Sequence, residues 1–405
     1  MKLFLIDNGK LFSYDNLLDK INNLDSFYPA FQNKNLFDFF ANLIAALVND
    51  KSVTLVDSDF SQQEIENIGI NEVNTPEPIN NKKFSSIDEL ITKVKHSSSN
   101  ISIYTSGTTG QPKRVEHSYQ NLSRAVKIGQ KFEGNIWGFA YNPTHMAGLQ
   151  VFFQAFENQN ELINIFNLPR EAVYKAISDC RITHISATPT FYRLLLPYER
   201  QYDSVVRITL GGEKSEKKLY DSILSIFPNA KITNVYASTE AGTLFAAKGS
   251  DFIIPENIRS KFKVIDDELF IHKSLIGTST SLKLVDDYYP SGDLIEWIDE
   301  DKGLFKFKSR KNELINVGGY KVNPQEVEEI IRDIPGIKDV HVFGKQNSVI
   351  GNILCADIVK DDTNNISETN IRQLLSAQLQ DFKIPRRIKF KDALDMTRTG
   401  KMKRI

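Results

Sequence analysis

The sequence is poor in cysteine and contains no long apolar run. Its 405 residues include two cysteines, Cys180 and Cys355, which lie far apart and form no CxxC pair. Such isolated cysteines provide neither a disulfide framework nor a cysteine zinc site, which is typical of a reducing compartment. No segment offers about eighteen uncharged apolar residues, and Asp7 interrupts the short apolar start. We therefore expect a cytoplasmic protein with neither a membrane span nor a signal peptide.

The sequence also lacks an excess of charge of either sign. It has 50 Lys and Arg residues against 51 Asp and Glu residues, so the overall charge gives no argument for binding nucleic acid. With 41% hydrophobic and 25% charged residues, its composition is that of an ordinary globular protein. At about 150 residues per domain, the length predicts two or three folding units.

Apolar spacing predicts an α/β architecture. Residues 36–48 have helical spacing, residues 52–57 suit a strand, and residues 85–94 suit a capped helix. Strands and helices then alternate, which favours a largely parallel sheet with ligand sites beyond the carboxyl ends of its strands. The expected strands of this region are 101–105, 135–142, 182–189, 205–212 and 231–238, and the expected helices are 170–180 and 217–228.

The pattern changes after residue 252. Short β-like runs at 268–273, 281–287, 293–299 and 303–308 predict a small antiparallel sheet or barrel. A compact mixture of helices and strands follows Arg310. We place the domains at 1–309 and 310–405.

A dense run of small polar residues follows the strand expected at 101–105. Glycines let a backbone approach an anion closely, and hydroxyl groups and backbone N–H groups can hold phosphate oxygens while Lys113 adds charge. The run is not a Walker A loop, because Arg114 rather than Ser or Thr follows the lysine. A plain turn is the alternative interpretation. The residues expected to hold phosphate are Thr105, Ser106, Gly107, Thr108, Thr109, Gly110 and Lys113.

This segment resembles the phosphate loop of the adenylate-forming superfamily. The superfamily includes acyl- and aryl-CoA ligases, adenylation domains of peptide synthetases, and firefly luciferase. The resemblance covers about residues 100–405 and matches the first hundred residues poorly, so the N-terminal region looks shortened. Further segments that resemble superfamily motifs follow in the superfamily's order at 211–213, 234–240, 289–293, 309–328 and 397–401.

The resemblance implies a role for each matched residue. Tyr236 would stack on adenine, Thr239 would contact the α-phosphate, and Glu240 would bind Mg²⁺. Asp293 would accept hydrogen bonds from the ribose, and Arg310 would bind ribose or phosphate. The other residues expected to line the nucleotide site are Gly211, Gly212, Glu213, Asn234, Ala237 and Ser238.

The resemblance also makes Lys401 the catalytic lysine, which contacts the carboxylate and the α-phosphate. Gly318 and Gly319 would form a loop that meets the site in the second half-reaction. Because these residues serve different steps on one small domain, we expect residues 313–405 to rotate about Asn312. Asn312 stands where the superfamily has Asp or Lys. Other departures from the motifs are Ala237 and Ser309, each in place of glycine.

The segment around His145 resembles the stretch beside the superfamily's acid pocket. Members that activate amino acids carry an aspartate where this chain has Met146, and a thioether cannot neutralise a buried ammonium. The acid is therefore expected to be aryl or fatty. His145 is interpreted as a catalytic residue, with a core histidine whose hydrogen bonds are satisfied as the alternative.

The expected function is ATP- and Mg²⁺-dependent activation of a carboxylic acid as acyl-AMP. The acyl group would then pass to coenzyme A or to the phosphopantetheine of a carrier protein. Amino-acid adenylation, a luciferase-like reaction and a catalytically silent paralogue are the alternatives. We expect a monomer or homodimer whose ligands are small molecules, with no nucleic-acid partner.

Overall fold

The computed structural model describes most of the chain. Of the predicted site residues, the phosphate loop at 105–110, Gly318, Gly319 and Lys401 lie outside the described residues. The described residues are 2–80, 82–104, 112–213, 215, 217–247, 249–317, 320–347, 351–361 and 366–395.

The elements that the structure describes have the following bounds. The helices are α1 Tyr14–Asn23, α2 Leu36–Val48, α3 Gln62–Asn67, α4 Ile87–Lys95, α5 Tyr119–Ser123, α6 Met146–Glu157, α7 Arg170–Cys180, α8 Pro189–Leu194, α9 Lys217–Ile226, α10 Pro324–Arg332 and α11 Glu368–Ser376. The strands of the first half are β1 Leu3–Asp7, β2 Lys10–Ser13, β3 Ser26–Phe27, β4 Ala30–Phe31, β5 Val53–Leu55, β6 Glu77–Pro78, β7 Asn100–Tyr104, β8 Arg114–Ser118, β9 Ile136–Phe139, β10 Glu161–Asn164, β11 His184–Ala187 and β12 Arg207–Gly211. The later strands are β13 Lys231–Ser238, β14 Gly242–Ala247, β15 Asp251–Ile253, β16 Phe262–Ile265, β17 Glu268–His272, β18 Tyr288–Asp299, β19 Leu304–Arg310, β20 Ile315–Val317, β21 Tyr320–Val322, β22 Ile337–Asn347, β23 Gly351–Lys360 and β24 Arg387–Lys391.

The chain forms two compact units. The first contains Met1–Pro255 and His272–Tyr289, and the second contains Glu256–Ile271 and Pro290–Ile405. The domain boundary predicted between residues 309 and 310 concerns which residues rotate together, and it stays a prediction.

The first unit is built on two mostly parallel sheets. The larger has the strand order β14-β13-β12-β11-β9-β10-β1-β2, in which β14 and β2 pair antiparallel with their neighbours. The smaller has the order β4-β5-β7-β8, with β8 antiparallel to β7. The predicted α/β class with stacked, mostly parallel sheets is confirmed. Among the described helices, none has the length and apolar character needed to cross a membrane.

Helix α2 is the apolar centre of the first unit. All of its residues except Asp38 are buried, and most are apolar, which is typical of a helix that packs on nearly every side. The Asn35 side chain caps its start by accepting a hydrogen bond from the Asp38 N–H at 3.0 Å. Phe40 stacks on Phe152 of α6 with ring centroids 4.1 Å apart, and its edge meets Phe139 of β9. The helix therefore joins α6 and the strand that leads into it.

The second unit contains two sheets. Strands β16, β17, β18 and β19 are neighbours in this order in an antiparallel sheet. Among the described strands, this sheet does not close into a barrel. The other sheet has the order β21-β20-β23-β22, and β24 pairs parallel with β23. Helices α10 and α11 cover it through a core that includes Val327, Ile331 and Ile371. This unit confirms the predicted α+β character of the C-terminal part.

The strand predicted at 281–287 is wrong. Asp286 and Asp287 adopt left-handed backbone angles, with φ of 47° and 70°, and form a tight turn into β18. In this segment the structure describes only one bridge, between Val285 and Tyr288. Two adjacent aspartates suit such a turn because their side chains tolerate positive φ.

Phe40→Ala should destabilise the first unit by about 3–5 kcal/mol, because it leaves a cavity among the aromatic rings that pack against Phe40. Denaturant unfolding can be followed by Trp137 fluorescence in a Trp297→Phe background, since the chain has two tryptophans and Trp137 lies in the first unit. Leu11→Ala is the control, because Leu11 is 67% exposed and should cost little. Equal midpoints for the two variants would contradict the central role of α2.

The stability of the first unit should fall in acid through His184. Burial, with a contribution from Arg207, lowers the pKa of His184 to about 4. An unfolded histidine takes up its proton near pH 6.5, so between about pH 6.5 and 4 the unfolded state binds more protons. The free energy of unfolding should therefore decrease as the pH is lowered from about 6.5 to 4, by at most about 3 kcal/mol.

His184→Gln should flatten that fall, as measured by urea unfolding at several pH values. His117, whose pKa burial also lowers to about 4, should contribute a second slope that His184→Gln leaves in place. Above about pH 7 the difference in stability between parent and variant should be constant, which is the internal control. An unchanged slope between pH 6.5 and 4 would contradict the assignment.

Candidate active site

The predicted site residues of the first unit lie at one edge of its large sheet. Strands β9, β11, β12 and β13 are parallel neighbours, so their carboxyl ends meet at the same edge. Gly211 ends β12 and pairs with Val235 of β13. Thr239 and Glu240 follow β13 directly, and the segment after β9 leads to His145 at the start of α6. The parallel pairing thus brings together segments that lie far apart in sequence.

Two different constraints require the glycines at the end of β12. A Cβ on Gly211 would lie 2.8 Å from Val235 Cγ2, which is closer than a normal contact. Gly212 has a φ of +83°, in the left-handed region that favours glycine. The chain can therefore pass close to β13 and turn sharply at the sheet edge, where we predict the nucleotide.

The end of β13 presents partly exposed residues. Tyr236, Ala237, Ser238, Thr239 and Glu240 are all half-buried. The Tyr236 ring stacks on Phe245 with centroids 5.8 Å apart and planes 16° apart. This packing fixes the orientation of the ring predicted to stack on adenine.

Asn234 and Glu213 make local structural contacts at this edge. The Asn234 side chain is buried and donates to the Gly249 carbonyl at 3.2 Å. The Glu213 carboxylate accepts hydrogen bonds from the Thr190 backbone N–H at 3.1 Å and from its hydroxyl at 2.7 Å. Thr190 lies in the first turn of α8, where orphan N–H groups favour an anion. Both residues thus stabilise the frame around the predicted site, and their nucleotide contacts stay a prediction.

Glu240 has a carboxylate suited to Mg²⁺. Its backbone carbonyl accepts a hydrogen bond from the Gly277 N–H at 2.7 Å, so the peptide is fixed. The described part of the chain provides no hydrogen bond or ion pair to its side-chain oxygens. A hard divalent cation prefers carboxylate and phosphate oxygens, so this half-buried group fits the predicted metal.

His145 pairs with an aspartate that sequence reasoning missed. Its Nε2 lies 3.6 Å from Oδ2 of Asp57, which follows β5 of the smaller sheet. Asn142 also donates to the same oxygen at 3.0 Å. The carboxyl ends of the two sheets therefore meet at this point. His145 thus has an acidic partner, and its predicted catalytic role stays a prediction.

Asp57 remains a charged group despite being only 4% exposed. Burial by itself raises its pKa, but His145 and hydrogen bonds from Asn142 and from the Asp59 backbone outweigh burial and hold the pKa below its usual value. The signal in the sequence was an aspartate directly after a buried strand. No local pattern connected it with His145.

The second unit holds Asp293 and Arg310 as a pair. The two residues face each other across β18 and β19, and Arg310 Nε donates to Asp293 Oδ1 at 2.7 Å. Asp293 is 6% exposed and follows Gly292, whose φ of +74° requires a turn at this point. The Ser291 hydroxyl accepts from the Asp293 N–H at 3.1 Å. Asp293, predicted to bind ribose, and Arg310, predicted to bind ribose or phosphate, thus form one preorganised pair.

Lys113 is exposed at the residue before β8, immediately after the undescribed phosphate loop. Lys113 therefore connects the predicted loop to the first residue of β8. The other predicted members of the loop, together with Gly318, Gly319 and Lys401, stay predictions.

Two curated relatives are similar to this chain over about three quarters of its length. The chain is 28% identical over 326 residues to a 2-succinylbenzoate–CoA ligase of Listeria monocytogenes, covering 75% of this chain and 68% of the relative. It is 25% identical over 341 residues to the 4-coumarate–CoA ligase-like protein 5 of Oryza sativa, covering 77% of this chain and 62% of that protein. The matched region thus spans about two thirds of the length of these relatives.

The fold matches that of a solved Bacillus subtilis o-succinylbenzoate CoA synthetase, determined in complex with ATP and magnesium. That structure has a TM-score of 0.75 at 18% identity and covers 100% of this chain and 96% of its own. The family model for AMP-binding enzymes matches residues 40–278, and the model for their C-terminal domain matches residues 326–401. Since the first match alone spans more than half of the sequence, the resemblance is confirmed, and this chain belongs to the family of AMP-binding enzymes.

Proposed function

We propose that this chain is an AMP-forming acid–thiol ligase. It joins a carboxylic acid to ATP to give acyl-AMP and pyrophosphate, and then transfers the acyl group to a thiol. The observation that carries the proposal is the meeting of the Gly211–Gly212 turn, Tyr236 and Glu240 at one sheet edge, where no described residue pairs with the Glu240 carboxylate. The naming of the curated relatives as CoA ligases supports the same reaction.

The first half-reaction is in-line attack of the acid's carboxylate on the α-phosphorus. Because oxygen anions repel one another, the site must supply fixed positive charge and donors. Lys401, Lys113 and the hydroxyls of the phosphate loop supply them. Mg²⁺ bound at Glu240 would neutralise phosphate charge. Holding the acid and ATP in near-attack geometry provides the entropic share of the rate.

The ribose is held by Asp293. The carboxylate already accepts one hydrogen bond from Arg310, and its remaining lone pairs can accept from the ribose hydroxyls. Arg310 orients the carboxylate, and a charged acceptor makes stronger hydrogen bonds than a neutral one.

The second half-reaction requires a different arrangement of the C-terminal residues. Lys401 serves adenylation, and the loop of Gly318 and Gly319 serves thiol attack. Residues 313–405 rotate about Asn312 between the two steps, as in other enzymes whose domain closure separates successive reactions. The thiol is that of coenzyme A, with a carrier-protein phosphopantetheine as the alternative acceptor.

The acid is aryl or fatty rather than an α-amino acid. Met146 is 4% exposed, and its sulfur lies 3.4 Å from where Gly242 would carry a Cβ. An unpaired ammonium beside such an apolar group would be costly. The nearby Asp57 does not replace the missing aspartate, because His145 and Asn142 already occupy its Oδ2.

ATP–pyrophosphate exchange should be stimulated by aryl or fatty acids and not by amino acids. Lys401→Ala should lower the exchange rate by about 10²–10³-fold, as expected when a donor to the transition state is lost. Lys403→Ala, in the same basic terminus, is the matched control and should retain the parental rate. Exchange driven only by amino acids would contradict the acid class, and ATP binding without exchange for any acid would support a silent paralogue.

Asp293→Asn should raise the KM for ATP about ten-fold, because a charged acceptor to the ribose is lost. The same variant should lose most of the parent's preference for ATP over 2′-deoxyATP, as measured by exchange kinetics with each nucleotide. Asp299→Asn is the control on the same strand, where the aspartate pairs with Lys302 instead. A preference for ATP that survives in Asp293→Asn would assign ribose recognition to another residue.

A further inference from the structure

The turn that carries Thr239 and Glu240 is held by its backbone. Residues 239–241 connect β13 to β14, and their three successive carbonyl oxygens all accept hydrogen bonds from other segments. His117 Nε2 lies 2.8 Å from the Thr239 oxygen. The Gly277 N–H donates to the Glu240 oxygen at 2.7 Å, and Arg124 Nη2 donates to the Ala241 oxygen. Such complete pairing fixes the peptide planes, and with them the directions in which the side chains leave the backbone.

His117 is suited to be a permanent donor. It is 1% exposed, and burial lowers its pKa to about 4, so the ring is neutral near pH 7. A neutral ring has one N–H, and the Thr239 carbonyl can only accept, so the proton lies on Nε2. The Nδ1 atom is buried and has no partner among the described groups. The hydrogen bond to Thr239 is therefore the one polar contact of this ring that the structure describes.

Gly277 lies tightly between His117 and the turn. A Cβ at this position would lie 2.5 Å from His117 Cε1 and 2.6 Å from the Glu116 carbonyl oxygen. Glu116 and Thr278 exchange two backbone hydrogen bonds, at 2.8 and 2.9 Å. Strand β8 and residues 277–278 thus form a short ladder that presents two adjacent donors to the turn.

Arg124 binds the same segments from the end of α5. Besides the Ala241 carbonyl, its Nη1 donates to the Leu275 carbonyl at 3.2 Å. One planar guanidinium therefore ties the turn to the chain that precedes Gly277. A lysine could not reproduce this, because its ammonium lacks the fixed fork of donors.

We propose that His117 and Arg124 are positioning residues for the Mg²⁺–ATP site, acting through the backbone of the turn 239–241. This inference rests on the proposed function, in which Thr239 contacts the α-phosphate and Glu240 binds Mg²⁺. Strand β8 follows Lys113 directly, so one strand both continues from the predicted phosphate loop and carries the donor to the metal-binding turn. Strand β8 thereby connects the predicted phosphate loop with the turn 239–241, and these two segments would hold different phosphates of one nucleotide.

His117→Met should raise the Mg²⁺ concentration for half-maximal pyrophosphate exchange about five-fold, within the range of one lost buried hydrogen bond. The KM for the acid should change less than two-fold. His117→Gln restores a side-chain N–H and should return the Mg²⁺ requirement to within two-fold of the parent. His96→Met is the matched control, since His96 also contacts a backbone carbonyl, that of Thr92, and should leave the requirement unchanged. Thermal unfolding of each variant identifies any that fail to fold.

A double-mutant cycle separates this inference from the proposed function. Mg²⁺-dependent ATP binding is measured by calorimetry for the parent, His117→Met, Glu240→Gln and the double variant. If His117 acts through Glu240, its effect on the Mg²⁺-dependent part of the affinity should vanish in the Glu240→Gln background. A parental Mg²⁺ requirement in folded His117→Met, together with a raised one in Glu240→Gln, would overturn the positioning role alone. An unchanged requirement in Glu240→Gln would instead overturn the proposed metal ligand.

Discussion

Parallel pairing of β9, β11, β12 and β13 is the constraint on which the predicted site depends. Hydrogen bonds between parallel strands fix their register, so Gly211 must lie beside Val235 and the segments that follow each strand must start at one edge. The smaller sheet adds its own strand end, since Asp57 after β5 reaches Asn142 after β9. Side chains from distant parts of the sequence are thus assembled by backbone geometry before any ligand contributes.

The described residues at this edge pair with every carboxylate discussed above except that of Glu240. Asp57 contacts His145 and accepts a hydrogen bond from Asn142, and Glu213 accepts hydrogen bonds from Thr190 in the first turn of α8. In the second unit, Asp293 pairs with Arg310. Glu240 differs, because the described residues occupy its backbone and leave its side chain to a cation. A buried carboxylate without a partner would be costly, so a half-buried position near the solvent edge suits a group that awaits Mg²⁺.

Sequence patterns predicted those helices and strands whose apolar spacing is evident within a short segment. Helix α2 and strands β11, β12 and β13 follow from apolar spacing, and the motif order led to Tyr236 and Glu240. Strands β1 and β10 went unpredicted because they pair across about 150 residues, between Leu5 and Leu162. The run at 281–287 failed because its alternation suited a strand, whereas the adjacent aspartates form a turn. The pairing of Asp57 with His145 likewise depends on a contact between two sheets.

His117 shows where a residue signal was present but ambiguous. In β8 it lies two residues after Val115 on the same buried face, and a buried histidine must find a hydrogen-bond partner. The sequence could indicate that His117 has a hydrogen-bond partner. That this partner is the Thr239 carbonyl follows from the backbone pairing of Glu116 with Thr278. That ladder also requires glycine at 277, since any Cβ there would displace the imidazole. Residues that no motif contains therefore set the geometry of the motif residues. A turn held at three successive carbonyls has little freedom to reorganise when charge develops on the phosphate, which is the condition under which fixed groups stabilise a transition state most strongly.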